Sequence, residues 1–281
     1  MRWKDLWGDC MMGKFSLHIP KGKVIKDPIY HVTSGDVTEI IVEPFAEVSV
    51  IEENQSYPHS ERHIHVQEGG KLQYIHIQRC SKDVDYSETQ EARIEKDGSF
   101  QSIHVGLGAQ QTKSNLHTIL EGKGALAKVS GVIFGDHSQK FDMYTTQDHE
   151  ASDTSSDLLF KAALKDSAKS NYEGVIHIPK SSQKVDAYQT NKNLLLSENA
   201  KARSIPKLEI LADDVRCKHG ATIGTIDEAE TFYLQSRGLS YEEARSMIVE
   251  GFFEQVFEKI PHEETRQKLH EVIKLKLKEG E

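Results

Sequence analysis

Residues 138–146 read SQKFDMYTT, and a similar stretch, SQKVDAYQT, returns 44 residues later at 182–190. Upstream, the tripeptide GVI at 131–133 returns at 174–176, a shift of 43, so one residue is inserted between the two matches. Self-similarity at such a period is typical of stacked repeats, here with two coils of about 22 residues per unit. The alternative is a chance likeness between two β-rich segments.

Short β-prone runs, bounded by turn-forming residues, fill the chain up to about residue 225. Examples are the runs at 39–42, 46–51, 72–77 and 131–134. Many short strands predict a barrel, a sandwich or a β-solenoid, and the repeat favours the solenoid. Inside the repeat, Phe141 and Met143 alternate with Asp142, which indicates a strand with one face inward.

The pattern becomes helical after residue 225. The sequences TIDE at 225–228 and SYEE at 240–243 are capping boxes, Gly238 is a helix stop, and Pro261 ends the following apolar run. The predicted helices run over about 226–237, 241–260 and 263–279.

The second predicted helix carries two neighbouring apolar stripes. One consists of Ala244, Met247, Ile248, Phe252, Val256 and Ile260, and the other of Val249, Phe253 and Phe257. Together they cover more than the ~100° that one core contact requires. The helix therefore buries two faces, either inside its own domain or against another chain. We expect the surplus to bind a partner, through Val249, Phe252, Phe253 and Phe257.

Composition excludes several classes of protein. The 281 residues carry 35 Lys+Arg and 44 Asp+Glu, a formal charge of −9, which argues against partners recognised by basic patches, namely nucleic acids and anionic membranes. Apolar stretches are too short to span a membrane, and we see no secretory signal. Three distant cysteines argue against a disulfide framework, so we expect the reducing cytoplasm.

Common catalytic motifs are missing from the sequence. It contains no Walker-type phosphate loop, no G-x-S-x-G and no C-x-x-C. Any ATP that its function requires must therefore bind another subunit, and we do not expect a stand-alone enzyme.

Three stretches in the second half carry a family resemblance: PKLEI at 206–210, DDVRCKHGAT at 213–222 and FYLQSRG at 232–238. With QTNKNLLL at 189–196, they resemble the SufB/SufD family, the core subunits of the Suf-type iron–sulfur cluster assembly machine. The resemblance extends from about residue 18 to 261.

This resemblance implies a right-handed parallel β-helix flanked by helices. Members pair through their β-helices and dock an ABC-type ATPase, SufC, on the C-terminal helices. We therefore expect an N-terminal segment over 1–17, a β-helix core over 18–224 and a C-terminal helical subdomain over 225–281. One chain replacing both SufB and SufD would form a homodimer that holds a transient iron–sulfur cluster.

The chain departs from full-length members in two ways. It resembles a short form that lacks their N-terminal helical region. In addition, Ala200 stands where the SufB-type scaffold cysteine is expected, and Gly220 where a SufB-type glutamate is expected. Only the motif histidine carries over, as His219, while the neighbouring Cys217 is of SufD type.

Cys217 and His219 are the candidate cluster and metal ligands. They stand two apart in a predicted strand, so both side chains lie on one face. Thiolates are the usual cluster ligands and histidine replaces some of them in Rieske centres. Arg216 and Lys218 are near enough to lower the thiol pKa, although alternation points them to the other face. The alternative is a buried structural cysteine with a hydrogen-bonded histidine.

Two rival functions remain open at this stage. A cluster-free structural subunit of the same complex is consistent with Ala200. A cupin-like metal-binding enzyme would use His63 and His65, with Glu68. The other histidines show no pattern, and the acidic pair at 52–53 is expected on solvated surface.

Overall fold

A computed structural model describes residues 13–33 and 35–278 of the chain. The odd-numbered strands form one eight-stranded parallel sheet, sheet A, consisting of β1 (Gly13–Ile19), β3 (Gly35–Val42), β5 (His59–Val66), β7 (Asp85–Ile94), β9 (Gln111–Leu120), β11 (Lys140–His149), β13 (Lys169–Ile178) and β15 (Lys201–Ile210). The even-numbered strands form a second, sheet B, consisting of β2 (Ile29–Val32), β4 (Glu47–Asn54), β6 (Lys71–Gln78), β8 (Ser99–Gly106), β10 (Leu126–Gly135), β12 (Ser155–Leu164), β14 (Val185–Leu195) and β16 (Val215–Thr225).

The chain moves from one sheet to the other at every strand, so each coil contributes one strand to each sheet. The predicted β-solenoid is therefore confirmed. The sequence repeat predicted coils of about 22 residues, half of its period, and this length does not hold for the whole solenoid. Lys140 pairs with Lys169, and Lys169 pairs with Lys201, so each of these later coils is longer than predicted. The sequence repeat relates β11 of sheet A to β14 of sheet B, one and a half coils apart.

The alternation read from the sequence sets the solenoid's interior. Phe141 and Met143 of β11 are buried, whereas Asp142 between them is half-buried. The same alternation begins in β1, where Phe15 and Leu17 are already buried. The predicted boundary between residues 17 and 18 therefore falls inside a strand, and the solenoid starts earlier than the family resemblance implied.

Three helices follow β16: α1 (Glu228–Ser236), α2 (Tyr241–Phe257) and α3 (Glu263–Lys278). The capping box predicted at Ser240 is present, since its side chain accepts from the backbone N–H of Glu243 and the Glu243 carboxylate accepts from the Ser240 backbone. The box predicted at Thr225 is wrong. Thr225 is the last residue of β16, and the Asp227 carboxylate caps α1 instead by accepting from Ala229 N–H at 2.8 Å.

The helices pack on the outer face of sheet B. Val249, Phe253 and Phe257 of α2 join one apolar cluster with strand residues such as Ile103 and Val132. Polar contacts fix the same interface: the Lys161 ammonium donates to the Phe252 carbonyl at 2.7 Å. The helical subdomain is thus bonded to the solenoid along its side. None of the helices in the described ranges is long and apolar enough to cross a membrane.

Truncation of Phe253 tests this packing. Its ring is fully buried between α2, α3 and sheet B, so Phe253→Ala is expected to lower the free energy of unfolding by about 3–5 kcal/mol. Met247, on the exposed side of the same helix, is the matched control: Met247→Ala should change stability by less than about 0.5 kcal/mol. Urea denaturation followed by circular dichroism measures both, and equal losses would show that α2 is docked differently.

Candidate functional site

The last coil, formed by β15 and β16 and called here the terminal coil, is the uncovered end of the solenoid. β15 pairs with β13 and β16 pairs with β14, and each strand ends its sheet among the described residues. Inward positions that are buried in earlier coils are only half-buried or exposed in these two strands. The terminal coil therefore presents both an unpaired strand edge and the unfilled end of the interior.

Cys217 and His219 lie on β16, in register with Ala187 and Gln189 of β14. Ala187 and Gln189 both face inward, so Cys217 and His219 share the inward face of the terminal coil, as predicted from their spacing. Cys217 is half-buried and packs against a small apolar cluster, whereas His219 is exposed. The strand thus presents one thiol and one imidazole side by side at the open end of the solenoid.

The Cys217 thiol is not activated by its basic neighbours. Burial, together with the nearby Asp186 charge, raises the pKa of this thiol. Lys218 lies on the opposite face, where its ammonium is 5.9 Å from the centre of the Tyr188 ring. The expectation that Lys218 and Arg216 lower the thiol pKa is therefore wrong, because the strand directs them away from Cys217. Metal binding at this cysteine must displace the thiol proton.

One chain supplies too few ligands here for a cluster. An iron–sulfur cluster is held by four protein ligands, and β16 offers two. Ala200, where the SufB-type cysteine was expected, is buried at the turn before β15 and carries no donor atom. Cys80 is buried elsewhere in the solenoid, beside the Asn54 side chain, and Cys10 lies outside the described residues. A complete ligand set at the terminal coil needs a second chain.

The residues predicted to bind a partner lie mostly inside the protein. Val249, Phe253 and Phe257 are fully buried against sheet B and α3, because the outer face of that sheet supplies the apolar surface they match. They cannot contact another chain while α2 keeps this position, which corrects that part of the prediction. Phe252 is half-buried beneath the Lys161 ammonium, 5.1 Å from its ring centre.

A different apolar surface is exposed on the helices. Tyr233 and Leu234 of α1 and Ile248 of α2 line an open groove, called here the α1–α2 groove. Phe232, next to it in α1, is 72% exposed. The sequence stripes did not reveal this surface because two of its residues lie on α1, for which no amphipathic pattern was recognised.

His63 and His65 do not form the predicted cupin-like metal site. His63 Nε2 lies 2.9 Å from Glu61 and His65 Nε2 lies 2.8 Å from Glu95, all on the outer face of sheet A. Neither belongs to a group of three or more close metal-ligating side chains within 13–33 and 35–278. The parallel β-solenoid itself also excludes a cupin fold.

A buried polar cluster, which the sequence analysis missed, fills the solenoid near its third and fourth coils. It consists of Glu52, Arg62, His76, Glu88 and His104. Arg62 is its centre: the guanidinium donates to Glu88 Oε2 at 2.7 Å and to His76 Nε2 at 2.6 Å, and lies 3.5 Å from Glu52 Oε1. Neighbouring hydroxyls complete the shell; Tyr74 donates to Glu52 at 2.7 Å and Ser114 to Glu88 at 2.5 Å.

The two histidines of the buried polar cluster are neutral at pH 7. Burial and the adjacent Arg62 charge lower the pKa of His76 to about 3, and burial lowers the pKa of His104 to about 4. Burial would raise the pKa of Glu88, but His76 and Arg62 outweigh it and hold that pKa at about 2. Both Glu52 and Glu88 are therefore ionised beside the Arg62 guanidinium.

One signal could have found this cluster. His76 and His104 are directly in register on β6 and β8, as are Glu52 and His76 on β4 and β6. The sequence separation within each pair therefore equals the local coil length. A search for charged and histidine residues that recur at this separation would have paired Glu52 with His76 and His76 with His104. The expectation that residues 52–53 lie on solvated surface is wrong, because both carboxylates are buried.

The chain matches known proteins over most of its length. Residues 30–252 match the SufBD core domain of the SUF system for FeS cluster assembly, a stretch that holds nearly all of the solenoid and most of α2. The chain therefore belongs to the SufBD family of iron–sulfur cluster assembly proteins.

Individual relatives include both SufB and SufD proteins. The SufBD family protein slr0076 of Synechocystis is 27% identical over 91% of this chain and 62% of its own length. SufB of Bacillus subtilis is 27% identical over 88% of the chain and 56% of its own length, and SufD of Escherichia coli is 32% identical over 58% and 38%. The chain thus spans less than two thirds of each relative, and these similarities do not separate a SufB type from a SufD type.

The neutral histidines predict an acid-sensitive fold. In the unfolded chain they take up protons near pH 6.5, but in the folded protein, where Arg62, Glu52 and Glu88 face them, only near pH 3–4. The unfolded state therefore binds more protons as the pH falls, and stability is lost from about pH 6.5 downward. Between about pH 7 and 5, each histidine should contribute a loss of about 2 kcal/mol.

Urea unfolding in EDTA at about pH 7 and pH 5 measures this loss. His104→Gln removes one of the two titrations, so its free energy of unfolding should depend less on pH than that of the native chain. Glu88 titrates below this window and does not obscure the comparison. Parallel pH profiles for the native and variant chains would contradict the neutral assignment of His104.

Proposed function

We propose that this chain is a scaffold subunit of an iron–sulfur cluster assembly complex that works with a SufC-like ABC-type ATPase. The observation that carries the proposal is the position of Cys217 and His219, side by side on the last strand of sheet B, at the open end of the solenoid. Family membership supports the assembly role. Free thiols at Cys80 and Cys217 agree with a reducing compartment, which we take to be the cytoplasm.

A homodimer would complete the site. Unpaired edges of terminal strands favour pairing with another strand, and two-fold dimers are the commonest soluble homo-oligomers. A two-fold axis near β16 would bring two cysteines and two histidines together, which is enough for a [2Fe–2S] or [4Fe–4S] cluster. The cluster is cargo in this scheme: Cys217 loses its proton to bind iron, and His219 offers a neutral imidazole.

The helices provide a mechanical connection between ATPase and scaffold. Besides the Lys161 bond, the Gln73 amide donates to the Lys259 carbonyl at 3.0 Å and the Arg245 guanidinium to the Leu196 carbonyl at 2.8 Å. These bonds join the helical subdomain to sheet B along several coils. Closure of an ATPase pair bound to the helices would therefore move sheet B and, with it, β16 at the dimer interface.

Anaerobic reconstitution with ferrous iron and sulfide tests the cluster role. The native chain is expected to gain the broad visible absorption of a cluster, with iron and sulfide that remain after desalting. Cys217→Ser should abolish this absorption, because it removes the thiolate, and His219→Ala should weaken or abolish it. Both positions lie at the open end, so neither change should alter the circular dichroism.

The matched control is Cys80→Ser, which removes the other described cysteine from a site that faces no open surface. It should leave the cluster content unchanged, as should Cys10→Ser. Full cluster content in Cys217→Ser would refute the ligand assignment.

The α1–α2 groove is the surface we assign to the ATPase. It is an apolar surface of the helical subdomain that the solenoid leaves open, and both Tyr233, which lines it, and Phe232, next to it, are more than half exposed. The assignment is supported by the resemblance to the SufB/SufD family, which implies that SufC docks on the C-terminal helices. Val249, Phe253 and Phe257 take no direct part, because they are buried.

Co-purification with the ATPase tests this assignment. Tyr233→Asp and Ile248→Asp should each reduce recovery of the ATPase at least tenfold, because a carboxylate in an apolar contact loses its hydration without a partner. Leu275→Asp is the matched control, since Leu275 is equally apolar and 61% exposed but lies on α3. Undiminished recovery with both groove variants, or equal loss with Leu275→Asp, would move the docking surface elsewhere.

A cluster-free structural subunit is the second candidate, and one observation favours it. Ala200 supplies no donor at the position of the SufB-type cysteine, and burial raises the pKa of the Cys217 thiol. In that case the native chain would still bind the ATPase through the α1–α2 groove but would gain no cluster absorption on reconstitution. The two experiments together separate the two roles.

A further inference from the structure

We propose that His76, Glu88 and His104 form a binding site for one divalent transition-metal ion, Zn²⁺ or Fe²⁺, inside the solenoid. This site is distinct from the cluster site at the terminal coil and does not depend on the proposed assembly role. Two imidazoles and one carboxylate form the ligand set of many zinc sites and of the 2-His-1-carboxylate iron centres.

The backbone brings the three side chains together from both sheets. His76 and His104 are register partners on β6 and β8, while Glu88 comes from β7 of the opposite sheet. One ligand atom from each of the three lies within 4.8 Å of the other two, and they form the only such group in the described part of the chain. Small side-chain rotations would bring these atoms to the ~2.0–2.2 Å from a shared ion that zinc requires.

Unsatisfied polar atoms surround a small enclosed space next to these residues. The cavity has a volume of about 10 Å³, room for one ion or one water, and is lined by His76, Glu88 and His104. His104 Nδ1 is fully buried and has no hydrogen-bond partner among residues 13–33 and 35–278. Gln78 Nε2 and Thr112 Oγ1, from two other residues lining the cavity, are unpartnered within these ranges as well.

His104 has the arrangement of a metal-binding histidine. Its Nε2 pairs with Ser102 Oγ at 3.3 Å while Nδ1 has no partner within the described ranges, so the tautomer with the proton on Nε2 leaves the Nδ1 lone pair available to a metal. A ligating histidine commonly has its second nitrogen held by a hydrogen-bond acceptor in this way. Ser102 is therefore the positioning residue for His104.

Arg62 controls entry to the site. It donates to His76 Nε2, which places the ring proton on Nδ1, 3.2 Å from Glu88. Metal binding at Nδ1 moves that proton to Nε2, so Arg62 must release His76. Glu52 Oε1, 3.5 Å from the same guanidinium nitrogen, is positioned to accept it. Arg62 and the metal therefore compete for His76.

Metal analysis of the native chain tests the site. The protein is purified without chelator from cells grown with added Zn²⁺, desalted, and analysed for zinc by mass spectrometry. About one zinc per chain is expected. His104→Gln should retain less than a tenth of this amount, whereas Cys217→Ser/His219→Ala and His63→Ala/His65→Ala should retain all of it.

Retention in the Cys217→Ser/His219→Ala chain separates this site from the proposed cluster function, which that variant abolishes. If His104→Gln fails to fold, Ser102→Ala decides: it keeps all three ligands and removes only the hydroxyl at His104 Nε2. Its zinc affinity, measured by competition with a chromogenic chelator, should fall about 10-fold or more. Absence of zinc in the native chain, or full zinc affinity in Ser102→Ala, would overturn the proposal.

Discussion

Strand pairing one coil apart is the constraint on which the rest of this structure depends. Each strand bonds only to the strands directly before and after it in the same sheet, so residues separated by one coil become neighbours. Inward side chains consequently form continuous rows along the solenoid. Where a row is polar it creates the buried polar cluster, and where the rows end they leave Cys217 and His219 uncovered.

Local features of this fold could be predicted from the sequence, and long-range ones could not. Alternation in 138–146 identifies an inward face because side-chain direction depends only on neighbouring residues. Coil length was mispredicted because the coils grow along the chain: Val37 pairs with Glu61 near its start, whereas the more distant Lys169 and Lys201 pair near its end. Without that register, the histidines of the buried polar cluster appear scattered.

The helix α2 shows the limit of reading a binding surface from apolar stripes. A double stripe establishes that two faces are buried, but it does not say whether the covering surface belongs to the same chain. Here sheet B and α3 cover the stripe of Val249, Phe253 and Phe257, which therefore stabilises the fold. The other stripe is covered only in part, since Met247 is exposed and Ile248 lines the α1–α2 groove. The candidate site at Cys217 and His219 was found from the family motif, yet the raised pKa of the Cys217 thiol follows from burial, which a single sequence does not reveal.

The central claim is that two terminal coils pair to complete a cargo site, and the mass of the isolated chain tests it most directly. Light scattering at micromolar concentration should give twice the 31.7 kDa chain mass. Ile223→Lys, which places a charge on the half-exposed edge of β16, should return the mass to that of one chain without loss of β structure. A native chain that remains a 31.7 kDa monomer would contradict the account.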